Sequence, residues 1–305
     1  LDAFTLSERY WSTPLDLQQL SGDELLLAGR LAWRLGGPRR SRVLLREAAR
    51  RNPSDARVRL FTSHLRFPRR HLLDDLRSFE ERPDLDAGDA EMRASWYASA
   101  AAIWAGLRDF QRAYDCLDRA RTLAPDDSWV LSSESLVHGL ADRRADALTS
   151  AERAWAVDPG SPFAAVTLCS ALLSLGCVEE SAGRLYEAAR ESQSWELVLD
   201  ACWRQCALAE TREGGERESA LDRAARLADR LPLLTPLADR ESRAMVARAR
   251  LDIATLSEDY IQIERWADEV RSPFHRTMVA SLRKNTAGRR IRLPFHRTIQ
   301  KHDTC

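Results

Sequence analysis

Lysine is nearly missing from this chain of 305 residues: of 46 basic side chains only Lys284 and Lys301 are lysine, and the rest are arginine. That skew is given no functional weight. β-Branched residues are scarce too, with six isoleucines and eleven valines. Strands favour such residues, whereas helices favour the Ala, Leu and Arg that crowd this sequence, so the scarcity excludes a sheet-rich protein and predicts a helical one. The closely spaced cysteine pairs that zinc sites or secreted scaffolds show are absent. Cys116, Cys169, Cys177, Cys202, Cys206 and Cys305 are scattered, which excludes a disulfide scaffold or zinc knuckle and predicts reduced thiols in a cytoplasmic protein. The longest uncharged run, 159–178, opens Pro-Gly-Ser-Pro and carries Ser170, Ser174 and Gly176; it reads as a buried helix, not a membrane span.

What remains is an ordinary foldable composition, 44% hydrophobic and 30% charged, with 46 bases balanced by 46 acids. The length allows roughly two domains or one elongated repeat array. Leu1 opens the sequence in place of Met, and Cys305 closes it inside an apparent motif. A piece of a longer protein is therefore expected, and the lack of a leader carries no information.

Self-similarity supplies the organising signal. Three Ala-rich amphipathic runs end in Pro53, Pro125 and Pro159, the last two 34 residues apart. Five residues before each proline stand Ala48, Ala120 and Ala154; twelve before stand Ser41, Ala113 and Ala147. A fourth copy lacks the proline but keeps the frame with Ser181, Leu185 and Ala188. Small residues at this spacing let two antiparallel helices approach, while Leu25, Trp104, Leu117 and Leu172 fill the seam. One such hairpin cannot bury its own apolar face, so hairpins must stack.

These features resemble the tetratricopeptide repeat (TPR). The resemblance implies an all-α fold of helix-turn-helix units in a right-handed superhelix, an α-solenoid, with a short non-helical C-terminal tail. Units are expected near 22–55, 94–127, 128–161 and 162–195, with an irregular unit at 56–92 and further hairpins over 196–270, the first ending near Leu231-Pro232. It also implies an inner groove that binds protein or peptide. Arg30 and Trp33, Ala98, Ala102 and Ala105, Ser132, Leu136 and Gly139, and Val166, Ser170 and Leu173 take the groove-facing positions, of which Arg30, Trp33, Ser132 and Ser170 are the candidate contacts. They offer no carboxylate clamp and no cofactor site; packing against another helix or domain suits them.

Other candidates weigh less. His138 reads as a satisfied core histidine. His64 and His71 lack the carboxylate or thiol partners a metal needs, and Cys202 with Cys206 reads as a buried pair, so no metal is expected.

The character changes at Arg271. From there to His302 the chain carries nine bases and no acid, against 37 bases and 45 acids before it. Without a nucleic-acid module or aromatic stacking platform, nucleic-acid and membrane partners are disfavoured, and a strap lying against the acidic repeats is favoured. Residues 271–292 read as a basic helix and linker. In 293–305, a Leu-Pro-Phe entry is followed by Gln300 and, five residues later, Cys305. This resembles the opening of papain-like, bacteriocin-processing (double-glycine leader) cysteine peptidases of bacteria, in a branch where tetratricopeptide repeats precede the peptidase-like domain. The resemblance implies Cys305 as nucleophile and Gln300 as oxyanion donor, with a catalytic His that would follow later in the sequence. All six histidines here precede Cys305. The chain as given is thus expected to be a scaffold, preceding either an active peptidase or an inactive relative. A stand-alone adaptor without catalysis is the alternative.

Overall fold

The computed structural model describes residues 17–66, 72–80, 85, 89–235 and 240–270. Within them every regular element is a helix. In chain order these are α1 (Gly22–Arg34), α2 (Pro38–Arg51), α3 (Ala56–Arg66), α4 (Leu72–Glu80), α5 (Ala90–Gly106), α6 (Phe110–Leu123), α7 (Ser128–Leu140), α8 (Arg144–Val157), α9 (Pro162–Ser174), α10 (Val178–Glu191), α11 (Trp195–Glu210), α12 (Gly214–Leu234), α13 (Arg240–Leu256) and α14 (Tyr260–Val270).

Helix starts are written in short polar side chains. Ser21 closes a capping box with Glu24, and Asp89, Asp109, Asp127, Ser161 and Ser194 each accept from a backbone N–H in the first turn. Helix ends before a proline share one geometry: Asn52, Ala124 and Asp158 leave the helix at φ −124°, −150° and −138°. Proline's Cδ disfavours the helical region for the residue before it, so the turn out of the second helix is forced locally.

Consecutive helices pair into hairpins, α1 with α2 through α13 with α14. The turn between partners recurs with a left-handed residue: Gly36 (φ 73°), Arg108 (67°), Asp142 (62°), Gly176 (82°) and Glu258 (55°). Positions 108, 142 and 176 repeat every 34 residues, so the period of the sequence is also the period of the backbone. Where the hairpin helices meet, Ser41, Ala48, Ala113, Ala120, Ala147, Ala154 and Ser181 are all at most 2% exposed. Two of these contacts are tied by hydroxyls: Ser135 Oγ donates to the Ala147 carbonyl and Ser181 Oγ to the Cys169 carbonyl, each at 2.7 Å.

Two boundaries differ from expectation. The hairpin after residue 195 ends within two residues of Pro232, but the proline lies inside the helix: α12 runs through it to Leu234. The proline forfeits its own N–H bond to the Ala228 carbonyl, one helical bond near the end of a 21-residue helix. In α10 the enclosed small residue is Ala189, with Ala188 only half-buried, since no proline fixes the end of that helix.

The first helices of successive hairpins touch directly from α5 through α13, while second helices scarcely meet their counterparts. Helices crowded on one side and splayed on the other make a curved stack, with α5, α7, α9, α11 and α13 on the concave side. The stack bends back on its own beginning. Trp33 of α1 meets Trp195 edge to face at 5.4 Å, Arg42 of α2 pairs with Glu241 of α13, and Ser242 Oγ donates to the Gly36 carbonyl.

Candidate binding groove

The concave ribbon is built by what the first helices leave uncovered. On α7 it shows half-buried Leu136 and exposed Gly139; on α9, half-buried Val166 beside exposed Ser170 and Leu173. On α11 it shows Glu196, Asp200 and Trp203. Spacings of three and four residues keep each set on one helical face, because the opposite face is taken by the hairpin partner.

Two residues singled out from the sequence are open to solvent. Arg30 is exposed, its guanidinium 5.7 Å from the Phe61 ring, and Ser170 is exposed on α9. Ser132 is a correction: it is 0% exposed and its Oγ has no hydrogen-bond partner, so it lies inside the packing. Ala98 and Ala105 are likewise closed, both at 0%. Their small size is used for helix approach, leaving no side chain to reach the groove. Gln300 and Cys305 lie outside the described residues, as do His71 and the side chain of His64.

Trp33 occupies the closure. Its indole N–H donates to Glu196 Oε2 at 2.9 Å, and its carbonyl accepts from the Trp195 indole at 2.8 Å. Glu196 keeps solvent contact yet is crowded by protein, and burial pushes its carboxyl up to about 7, the indole hydrogen bond opposing only in part. One turn on, burial raises Asp200 as well, with Arg204 opposing; Asp200 Oδ2 is enclosed without a hydrogen bond, 4.0 Å from Arg204 Nε. None of these α11 residues was singled out from the sequence. The signal was present as Glu-x-x-x-Asp-x-x-Trp on the first helix of a hairpin, but the hairpin before it lacks the proline that fixes the repeat frame.

The remaining candidates are structural. His138 is buried; Arg143 donates to Nδ1 at 2.6 Å, which places the ring proton on Nε2, facing Glu134 Oε1 at 3.3 Å. Burial works to raise Glu134, but the His138 hydrogen bond and the Arg121 guanidinium outweigh it and hold the carboxyl below its ordinary value. Cys202 donates to the Ala224 carbonyl at 3.5 Å, and its contact with Cys206, together with burial, raises its thiol. Burial pushes Cys169 up to about 12. These thiols are protonated and inert at neutral pH. No helix of the described residues is long and apolar enough to cross a membrane.

No protein-family model and no curated protein matches the chain. Solved structures do. Yeast Tom70 aligns over 92% of this chain with a TM-score of 0.56 at 14% identity, and the chain spans 57% of Tom70's length. The fold is a tetratricopeptide-like solenoid. A thermophilic TPR protein of Thermus thermophilus, TTC0263, aligns over 60% of this chain and 98% of its own (TM-score 0.49, 18% identity). A TPR protein of Parabacteroides merdae aligns over 86% and 97% (TM-score 0.41, 13% identity).

Proposed function

We propose that this chain is a protein-interaction scaffold whose concave groove receives a protein or peptide segment. The observation that supports it is the uncovered ribbon across α7, α9 and α11, where apolar Val166 and Leu173 stand in solvent contact beside Ser170, Glu196 and Trp203. Apolar side chains left open along one curved face are what a segment with its own apolar side chains would cover. Peptides selected from a random library against the intact chain test this. Their binding should be lost on Leu173→Glu and Ser170→Trp and kept on Arg153→Glu, which sits exposed on the outer helix α8. Binders indifferent to both groove substitutions would discard the reading.

The finer reading places this scaffold ahead of a papain-like cysteine peptidase domain, active or inactive, in a longer bacterial protein. It rests on the Leu-Pro-Phe entry with Gln300 and Cys305, and on a groove suited to docking the following domain or a substrate. The gene sequence beyond codon 305 decides it. A helical pattern directly after Cys305, then a His and an Asp or Asn, supports the peptidase, and Cys305→Ala then abolishes peptide cleavage. A frame without that His leaves a stand-alone adaptor.

A further inference from the structure

The α11 end of the groove differs from the rest in its electrostatics. This is an arginine-rich chain, and several of its half-buried or buried carboxylates face a guanidinium: Glu47 faces Arg50 and Arg51, Asp55 faces Arg57, Glu134 faces Arg121, and Glu241 faces Arg42. Glu196, by contrast, is met by an indole N–H and forms no ion pair among the described residues. Asp200, one turn on, has only the distant Arg204. The Trp33–Trp195 pair lies beside Glu196, and Trp203 stands on the same open face of α11. Carboxylates crowded by protein beside aromatic rings form a receptor for an ammonium or guanidinium, which gains a charge-assisted hydrogen bond and ring contact together.

Building on the groove reading above, we propose that this face of α11 is covered by the chain's own basic segment, residues 271–302, with Lys284 or Lys301 set against Glu196 and Asp200. Charge favours this occupant: the segment carries nine bases and no acid, while residues 1–270 carry 37 bases against 45 acids. Reach favours it too. The segment begins directly after α14, whose partner α13 lies against α11. The fourteen residues from Val270 to Lys284 span up to about 45–50 Å when extended, several times the ~10 Å between packed helix axes. Its sequence also interleaves Met278, Val279 and Leu282 with Arg276, Arg283 and Lys284, apolar and cationic together, as the groove is apolar and acidic together.

The near-absence of lysine makes the test clean. Carbodiimide coupling of carboxylates to amines in the intact chain can use only Lys284, Lys301 and the amino terminus. Peptide mapping should find an amide from either lysine to Glu196 or Asp200 within a single chain. That link should fade as salt is raised and vanish in the Glu196→Gln, Asp200→Asn variant. Should the double variant misfold, the map and salt series on the native chain still decide. Lysines coupled to other carboxylates only, or to none, overturn the proposal. The same amides found only in covalent dimers overturn it as well and name a second copy as occupant. Library peptides that still require Leu173 and Ser170 would leave the scaffold standing while this inference falls; loss of both results removes both.

Discussion

Two serines on the same helix show how little a residue type says without its neighbours. Ser135 Oγ donates to the Ala147 carbonyl at 2.7 Å inside the hairpin, whereas Ser132 Oγ, equally enclosed, has no partner. Ser135→Ala should cost about 1 kcal/mol, while Ser132→Ala should be neutral or stabilising, because a buried hydroxyl without a partner has already lost its water. Chemical denaturation of the two variants separates them, and equal costs would contradict the assignment. Glu196 gives a pH-dependent counterpart. Its carboxyl sits near 7 against an ordinary 4.5, raised by burial, so the folded chain holds that proton more tightly than the unfolded one. Its share of stability is fully present below the unfolded value and drains as pH rises through about 7. At high salt, where the basic segment is screened from Glu196, and because the residue keeps solvent contact, Glu196→Gln should gain only about 1 kcal/mol at pH 8 and nothing at pH 4. A gain of equal size at both pH values would show that the charge is not its source. At this scale the sequence was legible where spacing constrains packing, as at Ala113, Ala120, Ala147 and Ala154. It was not legible at Ser132, where the reading assumed that position 132 looks outward, and the helix turns it inward.

Among elements, the left-handed turns inside the hairpins at 36, 108, 142, 176 and 258 carry the backbone strain of the described residues. Gly36 and Gly176 both hold left-handed φ, yet their surroundings differ. A Cβ on Gly176 would meet nothing within 4 Å, whereas one on Gly36 would stand 2.7 Å from the Leu234 carbonyl and 2.8 Å from Thr235 Cγ2. Gly176→Ala should therefore cost only the left-handed penalty of roughly 1–2 kcal/mol, while Gly36→Ala should cost more and loosen the contact between the first hairpin and the end of α12. Thermal unfolding ranks the two, and an equal loss would mean that the Gly36 contact contributes nothing. Element order was legible because Pro53, Pro125 and Pro159 each end a second helix. The end of α12 was legible only to within two residues, because Pro232 lies inside the helix instead of just beyond it.

For the whole molecule, the return of the first hairpin to the sixth and seventh changes how the array should unfold. In an open solenoid each repeat touches only its neighbours, so the ends fray first and independently. Here α1 and α2 have a second set of partners: Trp33 against Trp195 and Glu196, Arg42 against Glu241, and the Gly36 carbonyl against Ser242. No sequence spacing announced this closure, since its residues lie more than 160 positions apart and follow no repeat. It emerges only when the curvature set by the crowded first helices is summed over the stack. Amide exchange in α1 should consequently be as slow as in α11, not as fast as at a free end. Trp33→Ala removes the central contact without touching the seam between α1 and α2. It should speed exchange in α1 and α2, leave α5 to α9 unchanged, and enlarge the radius of gyration seen by small-angle scattering. Exchange in α1 that is already fast in the native chain, and insensitive to Trp33→Ala, would show that the first hairpin does not hold its place against α11 in solution.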